Sequence, residues 1–184
     1  LRSVSGGFKI IGAGWDVSIL KSTVAGYHLI IGPIGGGTPT DPVEIADLTF
    51  EYEGGYRYEP YGVTSGLVLC TKNAYIHDNK FRNFLQQIVL ESQSKDCVID
   101  NNIFEWQNGR SSVAYGNNNG VPDYYFPTVG INTKGAIRTR VTNNFTDCLI
   151  DSNFANATGS PSDSTKRAAD GFFYGNGGGS IITG

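Results

Sequence analysis

The chain is patterned as short runs of alternating apolar and polar residues, broken by Gly, Asn, Asp and Ser, which reads as strands joined by turns. Four of these runs align without gaps: Leu67-Val68-Leu69-Cys70-Thr71, Ile88-Val89-Leu90-Glu91-Ser92, Val129-Gly130-Ile131-Asn132-Thr133 and Cys148-Leu149-Ile150-Asp151-Ser152. Their first and third columns are apolar and their fifth is always a hydroxyl residue. Strand side chains alternate faces, so these three columns share one side. That side is expected to face inward, with aliphatic stacks ending in a Ser/Thr ladder.

A second set of runs lies between the first: Ile45–Phe50, Ile76–Phe81, Ile99–Phe104 and the imperfect Val141–Phe145. Anchored on Val141, the last member lines Asn144 up with Asn79 and Asn102. Anchored on Phe145, it lines up Asn143 instead. Both alignments predict a short Asn ladder at a turn, with stacked amides bonding from rung to rung.

The spacings favour coils over a flat sheet. Leu69 to Leu90 is 21 residues and Ile131 to Ile150 is 19. Leu90 to Ile131 is 41, which is one coil plus an excursion over 106–128, or two coils with a hidden rung. A further excursion is expected over 153–179. Phe8–Ile11, Val17–Leu20 and Tyr27–Ile31 read as the first coil. The best helical stretch, Phe81–Glu91, does not keep its polar residues to one face. The expectation is therefore an all-β solenoid, a single domain over 1–184 that is read as a segment of a longer helix. A β-sandwich explains the strands but not the columns at repeat spacing.

Composition agrees with this reading. Glycine is frequent at 25 residues and aromatics reach 12%, a mixture suited to strands and turns. The net charge of -3, with charged residues at 17%, shows no basic patch of the kind nucleic acid requires. No apolar run approaches the ~20 residues of a membrane-spanning helix. Cys70, Cys97 and Cys148 form no C-x-x-C pair and read as small buried hydrophobes.

Gly7-Phe8-Lys9-Ile10-Ile11-Gly12-Ala13-Gly14-Trp15-Asp16-Val17-Ser18-Ile19-Leu20 resembles the first coil of pectate-lyase-like β-helices, phage tailspike proteins above all. The Ile76–Phe81 and Ile99–Phe104 runs match the I-x-x-N-x-F turn that recurs in that superfamily. The resemblance covers most of the chain outside the two excursions. It implies a single-stranded, right-handed parallel β-helix, often trimeric, that binds and commonly cleaves polysaccharide at an extracellular or virion surface. No catalytic signature of the family is recognisable, so no active-site residue is carried over. Gly12-Ala13-Gly14 reads as a tight turn, because Val17 stands where a dinucleotide fingerprint needs its third glycine.

Candidate chemistry falls on the fourth column, Cys70, Glu91, Asn132 and Asp151, which is expected to face outward. Rungs lie ~4.8 Å apart, so Glu91 and Asp151 are candidates for the acid and base of an inverting glycosidase, with Asn132 on a sugar hydroxyl. An ordinary solvated polar face is the competing account. Asp123 or Glu105 is an alternative member of the pair. Trp106, Arg110, Tyr124 and Tyr125, in or beside the first excursion, are candidate sugar contacts. The same loop reads equally as self-packed cover or a subunit contact.

Val68, Val89 and Leu149 form an outward aliphatic stripe, expected to meet another chain or a covering loop. His77 and Asp78 are adjacent, and strand alternation separates them, so no triad is indicated. Asp47, Asp78 and Asp100 read as turn residues before calcium ligands. No metal or cofactor is expected. Asn144-Phe145-Thr146 and Asn156-Ala157-Thr158 match the glycosylation sequon. Three functions follow: a tailspike-type polysaccharide depolymerase acting by hydrolysis, a non-catalytic fibre or glycan-binding helix, and a lyase or epimerase using Lys134, Arg138 or Arg140.

Overall fold

The computed structural model describes residues 7–24, 26–35, 37–40, 42–53, 65–84, 86–106, 115–116, 122–123, 129–148, 171–174 and 181–183. No helix occurs among them. The first coil is β1 (Phe8–Ile11), β2 (Ile19–Ser22) and β3 (Tyr27–Ile31). The second is β4 (Val43–Ala46), β5 (Thr49–Tyr52) and β6 (Ser65–Leu69). The third is β7 (Tyr75–His77), β8 (Lys80–Arg82) and β9 (Gln86–Leu90). The fourth is β10 (Val98–Asp100), β11 (Ile103–Trp106) and, after a hairpin of β12 (Tyr115–Gly116) and β13 (Pro122–Asp123), β14 (Val129–Asn132). The fifth is β15 (Arg140–Thr142), β16 (Phe145–Cys148) and β17 (Gly171–Tyr174), and β18 (Ile181–Thr183) opens a sixth.

Each strand pairs in parallel with its equivalent one coil away. This builds three stacked parallel sheets: A (β1-β4-β7-β10-β15-β18), B (β2-β5-β8-β11-β16) and C (β3-β6-β9-β14-β17). The architecture is consistent with a parallel β-helix. It leaves β12 and β13 as a separate antiparallel pair in the first excursion.

The core lies between the three sheets. Sheet A contributes Ile45, Ile76, Ile99 and Val141, which stand in register. Sheet B contributes Phe50, Phe81 and Phe104, also in register, with ring centroids 4.9 and 5.4 Å apart and planes within 10° of parallel. Sheet C contributes the Leu67/Ile88 and Leu69/Leu90 pairs. All of these side chains are essentially inaccessible to water. Full burial of each aliphatic or Phe side chain is worth about 1.5–3 kcal/mol.

The turn from sheet A to sheet B explains the Asn ladder. Asp47, Asp78, Asn101 and Asn143 all have φ between 50° and 57°. Asp and Asn tolerate this left-handed region better than other side-chain-bearing residues. The next residue then turns inward, and in three rungs it is Asn. The Oδ1 of Asn102 accepts from the Asn79 backbone N–H at 3.0 Å and its Nδ2 at 3.1 Å. The Oδ1 of Asn144 does the same for Asn102, at 2.9 and 3.0 Å. The alignment anchored on Val141 is therefore the correct one. Phe145 consequently pairs with Ile103 rather than Phe104, and points outward with 61% of its surface exposed.

Several sequence expectations shift. Val17 lies in a turn, 72% exposed, because the Gly14 carbonyl accepts from Val17 and Ser18 N–H; β2 starts at Ile19. β14 pairs directly with β9, so no rung hides in the 41-residue interval, but its register differs by two residues: Ile131 stands beside Ile88, not Leu90. A two-residue slip preserves the face of every side chain, which is why the sequence columns did not reveal it. Cys148 closes β16 in sheet B, and sheet C is continued by β17, a strand inside the stretch read as an excursion. Ser92 is exposed on the turn that Glu91 and Ser94 close. The buried hydroxyl of that rung belongs to Ser94, whose Oγ donates to the Leu69 carbonyl and accepts from Thr71 N–H.

Candidate functional site

The fourth column of sheet C was expected to face outward, with a solvated polar face as the competing account. Cys70 and Glu91 are instead buried, and so are Val68 and Val89 of the aliphatic stripe, although none of the four belongs to the central core cluster. The register brings Lys134 beside Glu91, with Nζ 2.8 Å from Oε1. The Glu91 side chain is only 6% exposed. Burial, and next the Glu91 carboxylate, push the Cys70 thiol upward, which favours the unreactive SH form. Asn132 stands beside Val89 and Tyr174, not beside Glu91, and its Oδ1 accepts from the Lys134 backbone N–H at 3.1 Å.

The other sequence candidates scatter. Glu105, on β11, is bound by Arg82 at 2.6 Å and Lys80 at 3.5 Å. Trp106 ends the same strand, its backbone beside Cys148. Asp123 sits on β13, opposite Tyr115 in the hairpin. Arg110, Tyr124, Tyr125, Leu149, Asp151 and the Asn156 sequon lie outside the described residues. Among the described residues, no group of three or more His, Cys, Asp or Glu side chains is placed to hold a metal ion, and no helix is long and apolar enough to cross a membrane.

A different surface gathers chemistry: the outer face of sheet A. Its outward positions form two rows across the coils, which flank the buried Ile45–Ile76–Ile99–Val141 column. One is Lys9–Glu44–Tyr75–Val98–Arg140; the other is Ile11–Ala46–His77–Asp100–Thr142–Thr183. Two grooves lie along it. One, of about 410 Å³, is lined by Tyr75, Val98, Asp100, Arg140, Thr142, Asn143 and Thr183. The other, of about 330 Å³, is lined by Lys9, Glu44, Asn73 and Tyr75 together with Gly7, Phe8, Pro42 and Val43. Tyr75, 40% exposed, is the wall they share. Six strands at ~4.8 Å spacing give this face a span of roughly 24 Å.

The carboxylates here are held by their neighbours. Glu44 is bound by Lys9 at 2.5 Å, which holds its carboxyl below the usual range, with His77 Nε2 3.4 Å away. Asp78 receives His77 Nδ1 at 2.6 Å and Asn101 Nδ2 at 2.5 Å; the contact with His77 holds its carboxyl low as well. The expectation that His77 and Asp78 diverge is thus corrected. β7 ends at His77, and the left-handed φ of 52° at Asp78 swings its carboxylate back beside the imidazole. Asp100 Oδ1 accepts from Thr142 Oγ1 at 2.5 Å and Asn143 Nδ2 at 3.0 Å. Burial, then the charges of Asp100, Asp78 and Glu44, raise the Tyr75 phenol, so it stays protonated and able to donate. Arg140 is exposed and makes no ion pair or side-chain hydrogen bond among the described residues.

Comparison with family models, curated proteins and solved structures finds no match for the chain. The functional reading rests on this surface and on the resemblance of the first coil and the I-x-x-N-x-F turns.

Proposed function

We propose that this chain is a glycan-binding segment of a single-stranded, right-handed parallel β-helix of the tailspike kind, which holds an extended polysaccharide along the outer face of sheet A. The observation that carries the reading is Tyr75 at the junction of two grooves, with Asp100, Thr142, Asn143 and Arg140 on one side and Lys9 and Glu44 on the other. An aromatic ring offers a flat apolar surface to the C–H face of a sugar, fixed carboxylate and amide groups hydrogen-bond its hydroxyls, and the exposed Arg140 guanidinium adds a donor. Groups mounted on strands lose little entropy when a ligand arrives. A virion-surface or otherwise extracellular setting and a trimeric assembly belong to this proposal, as does polysaccharide as the partner.

Binding is the best-supported part of the function. A glycosidase needs one carboxyl kept protonated near neutral pH. On the sheet A face, the contact with Lys9 holds the Glu44 carboxyl low and the hydrogen bond with His77 does the same for Asp78, so both are carboxylates, which suits recognition. A depolymerase form of the proposal keeps Glu91 and Asp151 as the acid and base, with Asp123 or Glu105 as the alternative member of the pair.

An array of immobilised neutral, acidic and amino polysaccharides tests the reading. The protein should be captured by at least one class, and Tyr75→Ala should weaken that capture by about tenfold or more, on the scale of one lost aromatic contact. Capture unaffected by Tyr75→Ala, or no capture, overturns it. Product analysis in the same assay separates the forms: new reducing ends mean hydrolysis, an unsaturated ultraviolet-absorbing product means elimination, and neither means binding alone.

A further inference from the structure

His77 is held in a way the glycan-binding face does not by itself require. Its imidazole lies against the Tyr75 ring, with centroids 3.9 Å apart and planes 23° from parallel. Its two nitrogens meet two carboxylates: Nδ1 faces Asp78 Oδ2 at 2.6 Å and Nε2 faces Glu44 Oε1 at 3.4 Å. We propose that His77 is a positioning residue, a proton-bearing clamp on Tyr75, so that the grip of the sheet A groove on its glycan depends on pH across the range where imidazole titrates.

An ionised carboxylate only accepts, and a neutral imidazole carries a single N–H. Glu44 and Asp78 are both held ionised, by Lys9 and by His77 respectively. A neutral His77 therefore satisfies one of them and turns a lone pair toward the other. The shorter contact, to Asp78, keeps the proton, and the Glu44 contact fails. An imidazolium donates to both at once. It also places a positive charge over the Tyr75 π-face, an attraction absent in the neutral form.

The remaining charged neighbours do not replace this arrangement. Lys9 on β1 reaches His77 only through Glu44. Asp100, in register with His77 on β10, already accepts from Thr142 and Asn143. Arg140 on β15 is one rung further away. Protonation thus fixes the wall shared by both grooves, and loss of the proton releases it. The sign follows: capture is stronger where His77 is an imidazolium than where it is neutral.

The inference rests on the glycan-binding reading, and its test separates the two. The first arm follows the ring resonances of His77 and Tyr75 by NMR through that pH range in the protein alone. The Tyr75 ring signals should move with the His77 titration, and should be flat in His77→Gln. In Asp78→Asn, which keeps a residue suited to the left-handed turn but removes the carboxylate at Nδ1, the Tyr75 response should be smaller than in wild type. Tyr75 signals that stay constant while His77 titrates overturn the clamp. The second arm measures capture on the same immobilised polysaccharides at about pH 5.5 and pH 8, either side of the imidazole transition. Wild type should bind about three- to tenfold more tightly at the lower pH, the scale of one cation–π contact, and His77→Gln should show no such ratio. An unchanged ratio in His77→Gln also overturns the clamp. Absence of capture at either pH sinks the glycan reading alone and leaves the first arm to decide the clamp.

Discussion

Truncating Asn102 is the sharpest perturbation of the fold. Its side chain is wholly buried. Its amide nitrogen donates toward the Ile76 and Asp100 carbonyls and Asn144 Oδ1, each at 3.0 Å, and its Oδ1 accepts from the backbone and side-chain nitrogens of Asn79. Asn102→Ala leaves the Asn79 side chain its contacts to the Ile45 and His77 carbonyls, but strands the buried Asn79 backbone N–H. A stranded buried donor costs about 1–3 kcal/mol and each net hydrogen bond lost about 0.5–1.5, so the expected destabilisation is about 3 kcal/mol. Asn144→Ala, at the half-buried end of the ladder, should cost about 1–2 kcal/mol, because water can replace part of what is lost. Gln93→Ala, at an exposed turn position, should stay within about 0.5 kcal/mol of wild type. Urea unfolding followed by circular dichroism measures all three, and hydrogen exchange of the Asn79 amide reads local opening of that rung. If Asn102→Ala falls within 0.5 kcal/mol of Gln93→Ala, on the scale of a surface substitution, the ladder does not hold the turns together.

Other consequences are as direct. Phe81→Ala, in the middle of the buried ring stack, should cost about 3–5 kcal/mol in the same unfolding assay, whereas Phe145→Ala, outward and exposed, should be close to neutral. Lys134→Ala leaves the Glu91 carboxylate buried without its cation and should destabilise by about 1–2 kcal/mol, less than for a fully buried pair because Lys134 is half exposed; adding Glu91→Gln should restore part of the loss. The contact with His77 holds the Asp78 carboxyl below its ordinary value of 3.8, so this group stabilises the fold above that value and the contribution disappears as pH falls through the lowered one. Acid unfolding of Asp78→Asn should accordingly depend less on pH in that interval than wild type.

The fold was legible because its interior repeats. A buried strand position admits few residue types, so the Ile45/Ile76/Ile99/Val141 and Leu69/Leu90 columns are visible in one sequence. The Asn ladder was equally visible, because the same inward turn position recurs from coil to coil and each Asn there bonds the next. Register across the long interval was not: the pattern Val129-Gly130-Ile131 fits Ile88–Leu90 and its two-residue slip with the same faces. Strand β17 was hidden for a related reason, since Gly171-Phe172-Phe173-Tyr174 does not alternate.

The site was legible only in part. Carboxylates were sought on the sheet C columns, where Lys134 arrives beside Glu91 only after the register is known. The sheet A surface was within reach. Tyr75, His77, Asp100 and Arg140 directly flank the aliphatic column that the sequence revealed, and alternation alone places them outside. What alternation conceals is the left-handed residue after β7, which reverses the side chain of Asp78 and joins it to His77.

The central claim is that equivalent residues of successive coils are stacked in three sheets. Methyl–methyl NOE spectroscopy on Ile/Leu/Val-labelled protein tests it most directly, since neighbouring rungs lie ~4.8 Å apart and next-nearest ones ~9.6 Å. Strong cross-peaks are expected for Ile45–Ile76, Ile76–Ile99, Ile99–Val141 and Ile88–Ile131, with Ile45–Val141 silent. A network in which Ile76 sees neither Ile45 nor Ile99 contradicts the stack.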